Sequence, residues 1–366
     1  MGGLAAGDRV LVTGAAGFIG SALTRLLLER GVRVTALVQP GRPENGIDGL
    51  DVERIPADLR DAEAVAGAAR RQRHVFHVAA VYRFWTPDPG EFYDVNVGGT
   101  RNVLAAAASA GCERVVYTST VGTLGVPKGS SAPADETSHA RVDHLFGAYK
   151  QSKYVAEHEA LRAAAEGQDV VLVQPTFPVG PGDHTPTPSG KLVLDFLNGR
   201  MPGYVDTALN VVDVEDVAAG HILAAEQGTS GRSYILGGEN LELVQILRAL
   251  SEFTGLPAPT RRVPGGLALA AARVSELVEG RLLRRAPSVP LEGALMATTR
   301  MVFDDRRARS ELGYSSRPAT EALERSARWY LDNGYVGEAR RALVTGAQAP
   351  YGKAGIPLER PANSSS

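Results

Sequence analysis

Residues 9–13 (RVLVT) form a short apolar run that opens directly into TGAAGFIG and then into SALTRLLLERG. This run constrains the fold more than any other stretch. Apolar positions 22, 23, 26 and 27 recur at helical spacing, and Gly31 supplies a C-terminal stop. The β-branched run VRVTALV (32–38) follows, so the opening reads as strand, glycine turn, helix, strand. Further strands are expected at 52–56, 74–78, 114–119 and 170–174, with helices at 62–70, 91–111 and 146–167. Continuously apolar strands alternating with helices imply an α/β chain with a doubly wound parallel sheet of Rossmann type. After about residue 175 the alternation weakens and Pro and Gly become frequent (PTFPVGPGDHTPTPSG). Helical pieces at 191–199, 214–227, 241–254, 265–280 and 319–333 suggest a smaller, mainly helical C-terminal lobe. The expected division is a nucleotide-binding domain over 8–175 with returns from 205–240. A substrate lobe takes 176–204 and 241–336, and a Pro-, Gly- and Ser-rich disordered tail takes 337–366.

Gly14, Gly17 and Gly20 sit between strand and helix. There the first allows a tight turn, the second lets the backbone approach a pyrophosphate, and the third packs helix on strand. The helix N-terminus offers free N–H groups to phosphate. A plain βα turn is the alternative, but placement on the first βα unit favours a dinucleotide, with Phe18 and Ile19 in the same lining. Tyr149 and Lys153 in YKQSK are four apart and share one helix face. A lysine cation beside a tyrosine favours the phenolate and lowers its pKa. Thr118, Ser119 and Thr120 close the preceding strand at its carboxyl end, where ligand sites form in such sheets. The hydroxyl of Thr120 is placed to hold a substrate oxygen while Tyr149 moves its proton.

These motifs, with ADLRD, HVAA, DVNVGGTRNV and YTSTVGTLG, make the chain resemble an extended short-chain dehydrogenase/reductase over residues 9–336. Longer stretches, such as PTPSGKLVLDFLNGRMPGYVDTALNVV, resemble hopanoid-associated sugar epimerases, a group also similar to dihydroflavonol 4-reductases. The resemblance implies that Asp58 and Leu59 contact adenine and that Val78, Ala79 and Ala80 line the dinucleotide. Thr118, Pro175 and Thr176 complete that lining. It also implies that Thr120, Tyr149 and Lys153 are catalytic, with Asn96 supporting the active-site strands or a bound water. Epimerisation of a sugar is narrowly the first expectation. Reduction of a less polar carbonyl compound is the second, and a non-catalytic dinucleotide-binding regulator the third.

Three departures from the family pattern matter. Phe177 stands where nucleotide-sugar epimerases carry an asparagine, and their diphosphate-clamping arginine has no counterpart, Arg300 being near but out of place. This favours a partly apolar substrate, such as a sugar or polyol carried on a lipid. Tyr82, Phe84, Trp85, Phe177 and Tyr204 are either walls of its pocket or core residues. Gln39 replaces the acid that holds a ribose 2′-hydroxyl, and Arg42 is close enough to pair with a 2′-phosphate. The cofactor is therefore NADP or NAD, tilting toward NADP.

The net charge of −2 gives no field to attract nucleic acid, and a single cysteine excludes an internal disulfide. With no secretory signal evident, cytoplasmic location is the expectation. No stretch reaches the roughly 18 apolar residues that span a bilayer. The seven histidines fall in no metal-ligand spacing, so no metal is expected. The apolar segment 265–280, followed by Arg281, Arg284 and Arg285, is either a membrane-surface helix or a helix packed on its own lobe. The second is the expectation. Alanines on the helices at 91–111 and 146–167 permit the close approach of a homodimer.

Overall fold

The computed structural model describes residues 3–345 except 84, 127–131, 139, 141, 143–144 and 284. The expected roles of Phe84, His139, His144 and Arg284, and most of the expected tail, lie outside the described residues. The order begins β1 (Arg9–Thr13), α1 (Phe18–Glu29), β2 (Arg33–Val38), β3 (Glu53–Pro56), α2 (Ala62–Ala69) and β4 (His74–His77). It continues through α3 (Gly90–Tyr93), α4 (Gly99–Ala110), β5 (Arg114–Thr118), α5 (Ala148–Ala165) and β6 (Val170–Pro175). Next come β7 (Phe177–Val179), α6 (Pro188–Leu197), β8 (Ala208–Asp213), α7 (Val214–Gln227), β9 (Ser233–Leu236) and β10 (Glu239–Glu242). The C-terminal part holds α8 (Leu243–Thr254), α9 (Gly265–Ser275), α10 (Leu291–Ala297), α11 (Arg306–Leu312), α12 (Ala319–Asp332) and α13 (Glu338–Arg341).

Seven strands form one parallel sheet in the order β3-β2-β1-β4-β5-β6-β9. The order reverses between β1 and β4, so a crevice opens at the carboxyl ends of those strands. One face buries Val10, Val12, Phe76, Val116 and Val171 under α1 and α7, and the other buries Leu11, Val75, Val115 and Tyr117 under α2, α4 and α5. Burial on both faces is why these strands read as unbroken apolar runs.

Three expectations change. The helix over 91–111 is α3, a π-type turn over Asp94–Gly98, and then α4. The C-terminal lobe is mainly helical, as expected, but β7, β8 and β10, none of them expected, make a second sheet, β7 parallel and β10 antiparallel to β8. These strands are three to six residues long, and β7 begins one residue after β6, so no spacing announces them. Third, order continues past 337. There Arg340 donates through Nε to the Leu197 carbonyl at 3.0 Å, and the Thr345 amide donates to the Thr254 carbonyl at 3.0 Å.

Candidate active site

Gly14 has φ +70° and lies so close to the strand end beyond β4 that a Cβ would come within 2.8 Å of Ala79 Cα. Gly17 donates to the Gly14 carbonyl at 2.9 Å, which closes the turn. Gly20 is the tightest of the three, since its Cβ would stand 2.1 Å from the Gly14 carbonyl oxygen. Helix α1 starts after Gly17 with no side-chain cap and no acid in its first turn. Phe18 and Ile19 form that turn. Uncapped amides at an unobstructed, unscreened helix start fit a pyrophosphate. Val78 and Ala79 are half-buried and Ala80 is exposed at the crevice edge opposite.

The strand end of β5 presents three hydroxyls with different partners. Thr118 Oγ1 pairs with His221 Nε2 at 2.9 Å, and Ser119 Oγ donates to Glu157. Thr120 Oγ1 accepts the Gly122 amide at 3.1 Å and lines the same cleft as Tyr149. Tyr149 is buried against the rings of Tyr82 and Phe92, at centroid distances of 4.9 and 6.3 Å. Thr120 and Tyr149, 29 positions apart in sequence, thus meet at one point.

The coupling of Tyr149 to Lys153 differs from expectation. Lys153 Nζ donates to Tyr117 Oη at 2.9 Å and to the Thr118 carbonyl at 2.7 Å. Burial pushes its ammonium down to about 7, opposed by Glu157. Burial meanwhile pushes the Tyr149 phenol well above the ordinary tyrosine range, reinforced by Tyr82, Tyr117 and Glu292, with only Thr120 pulling it down. The lysine points beneath the tyrosine to the strand, so it does not by itself offset the cost of burying a phenolate.

Asn96 lies in the π-type turn, a common setting for functional residues. Its Oδ1 accepts the Val81 amide at 2.8 Å, and its Nδ2 donates to Ser152 Oγ at 3.0 Å. It ties the loop after β4 to α5 and so positions Tyr149. His77, bonded to Thr13 at 2.8 Å and Thr100 at 2.9 Å, is held far below its ordinary pKa, to about 3, by burial and by Lys153.

At the far end of the crevice Asp58 accepts both Arg60 Nε at 2.9 Å and Arg60 Nη2 at 2.7 Å. These bonds, with help from Gln39, hold its carboxyl down at about 2. Leu59 is buried against Gly99, and its carbonyl accepts Asn102 Nδ2 at 2.8 Å. Arg42 is exposed.

Beside Tyr149 a cleft is lined by Tyr82, Thr120, Lys150, Thr176 and Phe177, together with Leu209, Asn210, Met296, Met301 and Phe303. Pro175 ends β6 just below. Trp85 and Tyr204 do not line it. Trp85 lies against Gly280, its indole nitrogen 3.2 Å from where a Cβ would sit. Tyr204 pairs by main chain with Arg261 and Val263, which turns its ring into the lobe core. Arg300 is also no clamp, because Glu242 takes both its terminal nitrogens at 2.9 and 2.6 Å.

Two residues escaped the sequence reading. Glu157 accepts from Ser119, from Thr123 Oγ1 at 2.9 Å and from Gln174 Nε2 at 3.2 Å. It stands four residues beyond Lys153, so the spacing that pairs Tyr149 with Lys153 extends to it. Glu292 on α10 has no such signal. It is buried over Gly147, its Oε1 has no partner among the described residues, and burial pushes it up to about 7 against the pull of Lys150.

Comparison with known proteins agrees with this geometry. The family model described as "NAD dependent epimerase/dehydratase family" matches residues 10–237. A Synechocystis protein named "Putative dihydroflavonol 4-reductase" is 46% identical over 91% of this chain and 97% of its own. "Sterol demethylase protein B" of Methylococcus capsulatus is 35% identical over 89% of this chain and 99% of its own. The crystal structure of gox2253 superposes with a TM-score of 0.80 at 42% identity, covering 90% of this chain and 100% of that one. The chain therefore belongs to the NAD dependent epimerase/dehydratase family, as an extended short-chain dehydrogenase/reductase and an NAD(P)-dependent enzyme of oxidoreductase type.

Proposed function

We propose that this enzyme interconverts a secondary alcohol and a ketone on a substrate with a bulky apolar body, in the manner of a reductase or dehydrogenase. The cleft wall carries this reading. Phe177, Leu209, Met296, Met301 and Phe303 face the point where Thr120 and Tyr149 meet. Among the described residues no arginine lines the cleft, and Arg300 is committed to Glu242. Among the described lining residues a nucleotide diphosphate would find only the Lys150 ammonium to offset its charges, whereas a ring system gains from burial. The names of the reductase and sterol-demethylase relatives are in keeping with such a substrate.

When bound, the nicotinamide supplies the hydride acceptor or donor. Thr120 hydrogen-bonds the reacting oxygen and Tyr149 gives or takes its proton. Lys153 fixes the strand end beneath them, and Asn96 and Glu157 hold α5 and the β5 end in register. Epimerisation of a sugar or polyol would use the same residues. The hydroxyl and ammonium groups of Thr120, Tyr149 and Lys150, gathered at one end of the cleft, favour it as a second reading.

For the cofactor we favour NADP, because Arg42 stands beside Gln39, where other members carry an acid. Wild type should bind NADPH more tightly than NADH in calorimetry, and Arg42→Ala should narrow the gap. Equal affinities in wild type would refute the preference. Turnover of a panel of cyclic apolar ketones and nucleotide sugars tests the substrate class. Activity confined to the nucleotide sugars would refute it.

A further inference from the structure

The segment 265–283 is inverted relative to a helix of a globular lobe. Leu267, Val274, Leu277, Val278, Leu282 and Leu283 are 41–73% exposed, while within α9 the buried residue is Ala272. Positions 267, 274, 278 and 282 fall at helical spacing and make one stripe, continued from α9 into the π-type turn Glu276–Leu282. The expectation that this segment packs its apolar side on its own lobe is therefore wrong. Its inner side is made by Ala272, Gly280 and the half-buried Leu269, while six large apolar side chains face outward. A contiguous apolar face of this kind marks an interaction surface.

Charge selects the occupant. Arg273 and Arg281 are exposed and make no ion pair among the described residues. Glu279 is occupied by Ser275 Oγ at 2.7 Å, by the Ser288 amide at 2.7 Å and by Arg285 at 2.8 Å, and Glu276 is half-buried. With Arg285, the stripe is flanked among the described residues by three arginines against Glu276 and Glu279, an excess of one positive charge. A two-fold contact with a second copy would bring the excess positive charge of both copies onto one face. An anionic headgroup layer would pair with the arginines while accepting the leucines. Among the described residues no helix is long and apolar enough to cross a membrane, so the segment would lie on the surface.

We propose that the outer face of 265–283 is a docking surface for an anionic lipid bilayer. Helix α10 packs against α9 and carries Met296 into the cleft, so docking sets the cleft wall one helix away from the bilayer. Delivery of a membrane-dissolved substrate rests on the apolar-substrate reading above; the docking itself does not.

The test is flotation of the full chain with phosphatidylcholine vesicles, with and without phosphatidylglycerol, at low and high salt. Wild type is expected to float with the phosphatidylglycerol vesicles and to be released by salt. L267S/V274S/L282S and R273E/R281E should each weaken partitioning at least about tenfold, with NADPH affinity retained as the check on folding. Failure of wild type to bind anionic vesicles at low salt overturns the proposal, as does binding that neither variant weakens. Sedimentation velocity adds a third outcome. If L267S/V274S/L282S converts a dimer to monomer, the face is a subunit contact and the proposal fails. A homodimer unaffected by it agrees with pairing through α4 and α5, where Ala105 and Ala108 are exposed. Loss of docking and loss of activity on apolar ketones are read separately, so either idea can fail alone.

Discussion

Tyr149→Phe is expected to lower turnover by about 10²- to 10⁴-fold, the usual worth of positioned general acid–base help. Dinucleotide affinity should persist, because the phenylalanine ring keeps the contacts with Tyr82 and Phe92. Full activity in this variant would contradict the assigned role. The pH dependence has a definite sign. Burial and the Glu292 carboxylate both hold the Tyr149 phenol above its ordinary value. Glu292→Gln removes the negative charge opposing the phenolate, lowers the Tyr149 pKa, and lets the base form accumulate at lower pH. The Tyr149-dependent limb of kcat/KM in the oxidative direction should therefore move to lower pH. A limb that stays in place would separate Glu292 from the site.

Gly20→Val is expected to abolish saturable NADPH and NADH binding in calorimetry and to destabilise the fold by about 1–3 kcal/mol, the scale of imposed backbone strain. The obstruction is backbone on backbone, with the Cβ 2.1 Å from the Gly14 oxygen and 2.8 Å from its carbon, so no side chain can swing aside. Gly17→Val differs. Its Cβ stands 3.2 Å from the Gly14 oxygen, so the turn gives a little and the branched side chain instead obstructs the phosphates. Binding lost in both variants, with thermal stability lost chiefly in Gly20→Val, is the expected pair of results. Unchanged binding in both would remove the glycine turn from the cofactor site.

The parallel sheet was legible because its strands are buried on both faces and its helices carry clear spacing and glycine stops. The short strands β7, β8 and β10 were not: β7 and β10 are three and four residues long and only partly buried, and β8, though fully buried, follows no helix–strand alternation. The three glycines and the Tyr149–Lys153 pair were legible as local patterns. The direction of the Lys153 side chain was not, because it depends on Tyr117 and the Thr118 carbonyl, which belong to another element. Glu292 enters from a helix 143 positions after Tyr149, a distance at which no spacing rule operates. Trp85 and Tyr204 were aromatic candidates by composition alone, and packing on Gly280 and main-chain pairing with Arg261 decided their places.

Net hydride transfer to or from an apolar ketone or alcohol is measured most directly by nicotinamide stoichiometry. Purified enzyme, NADPH and a cyclic apolar ketone should give one oxidised nicotinamide per alcohol formed, followed by absorbance and by product analysis of the same sample. Tyr149→Phe should suppress both signals together. Product formed from a sugar or polyol with no net change in nicotinamide absorbance, and no turnover of the ketones, would contradict the account and leave epimerisation as the reaction.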